Sequence, residues 1–358
     1  MSTEATAENP APARAERPLL EVRGLSKSYR AKGAGLRGRG RPGVTALREV
    51  SFDIMRGETV GLVGESGSGK STAASCVLRL TEPDSGSVRF DGVDVRALSR
   101  ADLRRMRARM QMVFQDPYGS LDPRFSVREL VEEPLLVHGE RDKEARRERA
   151  LQMLERVGLS AAQAERNAHA FSGGQRQRIA IARALVLNPE LVALDEPVTA
   201  LDVSVQAQVL NLLTSLQREL DLTYLFIVHD LAVAQYLCHR IAVMYLGEIV
   251  ELADSAELFG NPLHPYTVTL LMAAPVPDPD AMKMRRAALQ GTPAAGGEPA
   301  VRGCPMRQRC PVGSGRAECA ENRPALREVT PGHLAACHFP GELRAAAKTF
   351  PAQASGSV

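Results

Sequence analysis

The sequence predicts an α/β fold with a largely parallel sheet, followed by a small cysteine-rich C-terminal extension. Short apolar runs of the buried-strand kind lie at Thr59–Val63, at residues 191–194 and at residues 224–228. Helical patterns alternate with these runs: one is predicted at residues 70–80, and another has an apolar face made of Val205, Val209, Leu212, Leu213 and Leu216. Alternation of strands and helices favours parallel strand pairing, because a parallel pair needs a long crossover connection.

Length and composition bound the class of protein. The chain has 358 residues, of which 44% are hydrophobic and 24% charged, as in an ordinary globular protein. The net charge of +3 is too mild to indicate a nucleic-acid partner. No uninterrupted apolar stretch is long enough to predict a membrane span. Residues 1–17 are rich in Ala, Glu and Pro and lack the apolar block of a signal peptide, so we expect a disordered tail.

The first elements are two strands, predicted at residues 19–29 and 45–54. The segment between them, residues 31–43, is rich in Gly and contains Lys32, Arg37, Arg39 and Arg41. This composition is typical of a flexible hairpin loop, and contact with anionic lipid head groups is the alternative.

The middle of the chain is predicted to be helical. Residues 98–170 are charged and helix-like, with apolar residues recurring at helical spacing at Ala145, Ala150, Leu151, Leu154 and Val157. Residues 240–252 predict a strand pair that turns near Leu246 and Gly247. The composition then shifts towards Pro, Ala, Gly and Cys, which predicts a boundary between a main domain at residues 18–262 and an extension at residues 263–358.

A phosphate-binding loop follows the strand at Thr59–Val63. Gly64-Glu65-Ser66-Gly67-Ser68-Gly69-Lys70-Ser71 matches the pattern G-x-x-x-x-G-K-[ST]. Glycines let backbone N–H groups converge on phosphate oxygens, and the following helix presents its positive end to the same anion. Lys70 would neutralise the β- and γ-phosphates and Ser71 would bind Mg²⁺. The predicted ATP ligands here are Gly64, Glu65, Ser66, Gly67, Ser68, Gly69, Lys70, Ser71 and Thr72.

Polar residues follow two more predicted strands. Asp195 and Glu196 end the run at residues 191–195, where Asp195 could hold Mg²⁺ and Glu196 could polarise an attacking water. His229 ends the run at residues 224–228 and could reach the γ-phosphate. Gln115 follows Met112-Val113-Phe114 and could contact Mg²⁺ or the water. The predicted catalytic set is Glu196, His229 and Gln115, although a lone histidine is more often structural and the glutamine by itself indicates no function.

A second anion site is predicted at Ser172-Gly173-Gly174-Gln175, which opens a helix. One chain thus has two phosphate-binding surfaces and only one phosphate loop. The simplest explanation is that two chains meet head to tail and complete each other's sites.

Together these motifs resemble the nucleotide-binding subunits of ATP-binding-cassette transporters, over roughly residues 18–262. The order is the phosphate loop, Gln115, Ser172, the acid pair, Ala200-Leu201-Asp202 and His229. The resemblance implies a P-loop NTPase fold, with a RecA-like core, a mixed sheet and a helical subdomain at about residues 98–171. It also implies that Tyr29 stacks on adenine and that Ser172, Gly173, Gly174, Gln175 and Asp202 contribute to ATP binding. The expected cofactors are ATP and Mg²⁺.

A narrower resemblance is to bacterial importers of dipeptides, oligopeptides and nickel. It lies in residues 114–124, in Asn261-Pro262-Leu263-His264-Pro265-Tyr266-Thr267 and in the tail from residue 303 to residue 340. It implies two membrane permeases and either a second ATPase subunit or a second copy as partners. An extracellular solute-binding protein would be an indirect partner, and the chain would be a peripheral subunit at the cytoplasmic face of the plasma membrane. The alternative is a soluble cassette ATPase of DNA repair or translation, although the chain has no long coiled-coil insertion and no second cassette.

The extension contains four of the six cysteines: Cys304, Cys310, Cys319 and Cys337. In a reducing compartment such a cluster suggests a metal site more than disulfides. A [4Fe–4S] cluster, which the importer resemblance also suggests, zinc and plain thiols stay open as interpretations, since the spacing matches no common motif. Cys76 and Cys238 lie in apolar stretches and are predicted to be packing residues.

Overall fold

The computed structural model describes residues 17–29, 43–116, 119, 121–199, 201–273 and 302–343. The loop predicted at residues 31–43 and the tail predicted at residues 1–17 therefore lie almost entirely outside the described residues. Ala200 and residues 117–118 also lie outside them.

A mixed eight-stranded sheet forms the centre of the fold. Its parallel strands are β3 (Thr59–Val63), β6 (Met110–Val113), β7 (Leu191–Asp195), β8 (Thr223–Val228) and β9 (Arg240–Tyr245). The antiparallel strand β10 (Glu248–Asp254) extends it beside β9, and the hairpin of β11 (Arg327–Thr330) and β12 (His333–Ala335) follows. The order is β11-β12-β10-β9-β3-β8-β7-β6. The predicted mixed sheet is thus confirmed.

A second sheet is antiparallel and packs against one face of the first. It has the order β2-β1-β4-β5, from β1 (Leu20–Tyr29), β2 (Val44–Ile54), β4 (Ser85–Phe90) and β5 (Val93–Asp94). A continuous core between the sheets contains fully buried residues of both, including Val22, Ile54, Leu62 and Leu225. Cys76 belongs to this core and Cys238 to the core of the opposite side, so both are packing residues as predicted.

The described helices lie in the connections between the strands and after β10. They are α1 (Lys70–Val77), α2 (Arg100–Arg109), α3 (Val127–Val137), α4 (Lys143–Arg156), α5 (Ala161–Ala164), α6 (Gly173–Leu185), α7 (Val203–Leu220), α8 (Leu231–Leu237), α9 (Ser255–Gly260), α10 (Pro265–Ala273) and α11 (Ala317–Glu321). Short 3₁₀ turns lie at Val95–Ala97 and Ala168–Ala170. Helix α1 is shorter than the predicted 70–80, because a turn replaces its last residues.

The helical prediction for residues 98–170 is wrong at β6. Met110–Val113 pairs in parallel with β7, and Met110 and Val113 are buried. Four residues give no usable periodicity by themselves, and a neighbouring strand far away in sequence decides their conformation. Helices α2 to α5 cover much of the rest of the described segment, whereas residues 121–126 are a loop. Helices α3 and α4 pack against each other in one helical group.

The C-terminal residues complete the sheet and the core. The strand β12 pairs with β10, and Cys304, Cys310 and Cys319 are buried in the same core as α6 and α7. A buried ion pair joins β12 to β10, since the His333 Nε2 atom lies 2.7 Å from Glu251 Oε1. Within the residues that the structure describes, no helix combines the length and the apolar character that crossing a bilayer requires.

Candidate nucleotide-binding site

The phosphate loop joins the fully buried strand β3 to helix α1. Lys70 is 4% exposed, and its ammonium donates hydrogen bonds to the carbonyl oxygens of Gly64 at 2.8 Å and Glu65 at 2.9 Å. Gly69 has φ of +103°, and a Cβ there would lie 2.3 Å from the carbonyl oxygen of Ala46. Only glycine fits that position. The loop therefore curls around Lys70 in the way that its sequence pattern predicts.

Two Mg²⁺ ligands predicted from distant motifs meet at this loop. The Ser71 hydroxyl donates to Asp195 Oδ1 at 2.9 Å. Asp195 ends β7 and is 6% exposed. Burial raises the pKa of Asp195, and the neighbouring charge of Glu196 adds to this rise, whereas the Ser71 hydrogen bond opposes it. A hydroxyl and a carboxylate side by side are the oxygen donors that Mg²⁺ prefers, so these two residues fit the ion.

Two of the three predicted catalytic residues, Gln115 and His229, converge on the carboxylate of the third, Glu196. Gln115 Nε2 donates to Glu196 Oε2 at 2.9 Å, and His229 Nδ1 lies 3.6 Å from the same oxygen. They follow β6, β7 and β8, three parallel strands whose carboxyl ends meet at one edge of the sheet. Sequence reasoning missed Thr199, whose hydroxyl also donates to Glu196 Oε2 at 3.2 Å. The backbone of Glu196 has φ of +46°, an unusual conformation for a residue with a side chain.

The charges around Lys70 are coupled. Burial lowers the pKa of Lys70, and the carboxylates of Glu196, Asp195 and Glu65 oppose this by raising it. Three carboxylates thus act on one ammonium, an excess of negative charge that a bound divalent cation would relieve.

The second anion site opens helix α6. Ser172 is the N-cap: its hydroxyl accepts from the Gln175 N–H at 3.4 Å, and Gln175 Oε1 accepts from the Ser172 N–H at 3.1 Å. A Cβ on Gly174 would lie 2.3 Å from Val205 Cγ1 of α7, which explains that glycine. Among the hydrogen bonds of the described residues, none joins residues 172–175 to residues 64–71. Asp202 caps α7 by accepting from the Val205 N–H at 3.0 Å.

Tyr29 lies at the end of β1 and is 43% exposed, with the Lys27 ammonium 5.7 Å from the centre of its ring. An exposed ring at the end of a strand is free to stack on a flat ligand. Its role in adenine binding stays a prediction.

The four C-terminal cysteines are all buried, each less than 9% exposed. Burial raises the pKa of Cys304 to about 11 and that of Cys337 to about 12, which favours protonated thiols. Within the described ranges, no group of three or more His, Cys, Asp or Glu side chains is arranged to hold a metal ion. Among the described residues, the structure therefore supports neither zinc nor an iron–sulfur cluster at these cysteines.

The fold and the site define a P-loop ATPase of the cassette type. A family model described as ABC transporter matches residues 47–199, and one described as oligopeptide/dipeptide transporter, C-terminal region, matches residues 250–319. A putative peptide import ATP-binding protein of Brucella ovis is 52% identical over 322 residues, which are 90% of this chain and 98% of that protein. The oligopeptide transport ATP-binding protein AppF of Bacillus subtilis is 46% identical over 326 residues, covering 90% of this chain and 97% of that protein.

A solved dimeric structure of the ATP-binding cassette MJ0796, in a post-hydrolysis state with ADP and Pi, is also similar. It has a TM-score of 0.58 and 33% identity, and the match covers 66% of this chain and 98% of that one. The chain therefore belongs to the family of ATP-binding subunits of peptide-importing ABC transporters. It is an ATP-hydrolysing subunit, and the alternative of a cassette ATPase of repair or translation is not favoured.

Proposed function

We propose that this chain uses Glu196 as the general base for ATP hydrolysis and powers the import of peptides, or of a related small solute such as nickel. The observation that carries the catalytic part is the convergence of Gln115, Thr199 and His229 on one carboxylate oxygen. Such a carboxylate can accept a proton from water, while Gln115 and His229 orient the water and the γ-phosphate. Lys70, Ser71 and Asp195 bind the phosphates and Mg²⁺.

The solute class rests on the relatives. The proteins of Brucella ovis and Bacillus subtilis are named for peptide import and oligopeptide transport, and a further relative from Salmonella paratyphi A, 50% identical over 272 residues, is named for glutathione import. All three names refer to the transport of peptides, and the peptides differ in length. An extracellular solute-binding protein would select the solute, because this chain supplies energy.

The surface for the permeases would lie on the helical group that follows Gln115 in the chain. A groove of about 300 Å³ in the helical group is lined by Phe125, Glu129, Leu130, Glu132, Glu133, Leu136 and Arg146. Phe114, which precedes Gln115, is 48% exposed, and Phe125 and Leu136 are 46% and 44% exposed. An apolar floor with a mostly acidic rim fits a permease segment that carries both apolar and basic side chains.

The [4Fe–4S] cluster remains a prediction of the importer resemblance. It depends on that resemblance and on the presence of Cys304, Cys310, Cys319 and Cys337 in the tail. Chemical analysis of iron and acid-labile sulfide in protein purified without oxygen tests it.

The deciding experiment is a pull-down of the Glu196→Gln protein with ATP from gently solubilised native membranes, followed by mass spectrometry. Two permeases, with or without a second ATPase, are the expected partners. Adding Phe125→Asp and Leu136→Asp to the Glu196→Gln protein should prevent recovery of the permeases. The same two substitutions in the native protein should leave its ATPase activity unchanged, since neither residue touches the site. Recovery of ribosomes or DNA-repair proteins without any permease would overturn the transport proposal.

A further inference from the structure

Arg309, in the C-terminal segment, contacts the phosphate loop 244 residues away in sequence. Its Nη1 donates to Glu65 Oε2 at 3.1 Å and its Nη2 donates to Glu65 Oε1 at 2.9 Å. The Arg309 side chain is 17% exposed and that of Glu65 is 39% exposed. A bidentate pair fixes both the distance and the orientation of the carboxylate, whereas a single hydrogen bond would leave its orientation free.

Several contacts fix the position of Arg309. Its guanidinium lies 5.8 Å from the centre of the Tyr245 ring, and its backbone N–H donates to the Met306 carbonyl at 2.8 Å. Met306 and Cys310 on either side are buried in the main core. The pKa of Arg309 is raised, mainly by the hydrogen bond to Glu65, so the guanidinium is charged throughout the physiological range.

A second contact reaches the backbone of the same loop residue. The Glu65 N–H donates to Tyr266 Oη at 3.0 Å. Tyr266 is fully buried in α10, and its ring centre lies 4.6 Å from that of Tyr245. The C-terminal residues therefore hold both the main chain and the side chain of Glu65. No pattern in the sequence connects these positions.

The negative charge of Glu65 acts on the phosphate-binding lysine of the same loop. Its carboxylate is close enough to act on the Lys70 ammonium, whose pKa it helps to raise. A carboxylate that attracts Lys70 must also repel the triphosphate that Lys70 binds, because the same field acts on the opposite charge. Arg309 offsets that repulsion with a cation held against the carboxylate.

We propose that Arg309 is a positioning residue for ATP binding: it neutralises Glu65 and fixes it away from the phosphates, so that full ATP affinity requires the docked C-terminal segment. This inference rests on the proposed role of residues 64–71 as the phosphate site. The C-terminal segment is thereby part of the nucleotide site, through contacts made by the chain's own residues.

The test is equilibrium binding of a fluorescent ATP analogue, mant-ATP, with Mg²⁺, to the purified full-length chain. Arg309→Ala should weaken binding by about fivefold to tenfold, because about 1 kcal/mol of uncompensated repulsion gives that factor. Glu65→Gln should stay within about twofold of the native protein, since it removes the repulsive charge together with the pair. The double variant should bind like Glu65→Gln, and higher salt should reduce the defect of Arg309→Ala.

Arg316→Ala is the matched control. Arg316 lies in the same segment, pairs through two nitrogens with Glu342 and lies 4.0 Å from the centre of the Phe339 ring. It makes an equivalent pair away from the phosphate loop, so its loss should leave mant-ATP binding unchanged. Arg309→Lys keeps the charge and should recover part of the affinity, which keeps the test decisive if Arg309→Ala folds poorly.

Two results would overturn the inference. One is unchanged binding by Arg309→Ala, and the other is a double variant as weak as Arg309→Ala, since that defect would not act through the Glu65 charge. Lys70→Ala separates this failure from failure of the phosphate site itself. If Lys70→Ala still bound at native affinity, the assignment of residues 64–71 would be wrong, whatever Arg309 does.

Discussion

The two predicted anion-binding parts of this chain, the phosphate loop at residues 64–71 and the helix start at residues 172–175, differ in which residues they contact. In the phosphate-loop part, five side chains from three connections lie together: Lys70 and Ser71 on α1, Asp195 and Glu196 at the end of β7, and Gln115 after β6. In the signature part, residues 172–175 are bonded mainly to their own helix start. The first part can bind a nucleotide within one chain. In the second part Ser172 is exposed, and the sequence predicts that this part acts on the nucleotide of another subunit.

Glu196→Gln should have the largest effect on the phosphate-loop part. We expect turnover to fall by about 10²–10⁴-fold, the usual range for a removed general base, with ATP binding retained. Glutamine keeps the size of the side chain but cannot accept the proton. Steady-state phosphate release and mant-ATP binding measure the two properties separately. Turnover close to native would contradict the role of Glu196 as base.

Lys70→Ala removes the phosphate-loop part and leaves the signature intact. ATP binding should weaken by at least about 10²-fold, because a buried cation that neutralises the phosphates is worth about 3 kcal/mol or more. Native affinity in this variant would show that the signature part, or another surface, binds the nucleotide. Circular dichroism confirms that the variant is folded.

The difference between the two parts also explains what the sequence could predict. The phosphate loop, the acid pair and His229 follow strands whose apolar runs are visible in the sequence, and parallel pairing necessarily brings their ends together. The strand β6 and the hairpin β11–β12 were missed, because their few residues owe their conformation to neighbours in the sheet. Thr199 and Arg309 were missed because short polar contacts between distant segments depend on side-chain positions that no periodicity encodes.

Ser172→Ala tests the signature part alone. Loss of the N-cap should cost about 1 kcal/mol of unfolding free energy. Turnover should also fall, by about tenfold, if the hydroxyl contacts the γ-phosphate of a second subunit, whereas mant-ATP affinity should not change.

Ser99→Ala is the control, because Ser99 caps α2 in the same manner, accepting from the Asp102 N–H at 3.2 Å. It should lose similar stability, measured by urea denaturation, and keep native turnover. Equal turnover in the two variants would mean that Ser172 only caps a helix and that the signature part has no catalytic contact.

Asp195→Asn separates charge from shape inside the phosphate-loop part. Burial and the charge of Glu196 raise the pKa of Asp195 above its unfolded value, so its ionised form destabilises the nucleotide-free protein. Asparagine keeps an oxygen that can accept from Ser71. We expect the variant to gain about 1 kcal/mol of unfolding free energy at neutral pH, which is the usual size of a single stabilising substitution.

The sign of the pH dependence follows from the direction of that shift. The penalty of the Asp195 charge is fully present above the raised pKa and disappears as the pH falls through it, since the native aspartate then takes up a proton. The gain of Asp195→Asn over the native protein should therefore shrink as urea denaturation is repeated from pH 7 down towards pH 4. Mg²⁺-dependent turnover should be lost at every pH, because the amide is a weak ligand for the ion. A gain that stays constant with pH would show that packing, and not the excess negative charge around Lys70, explains the stability of the variant.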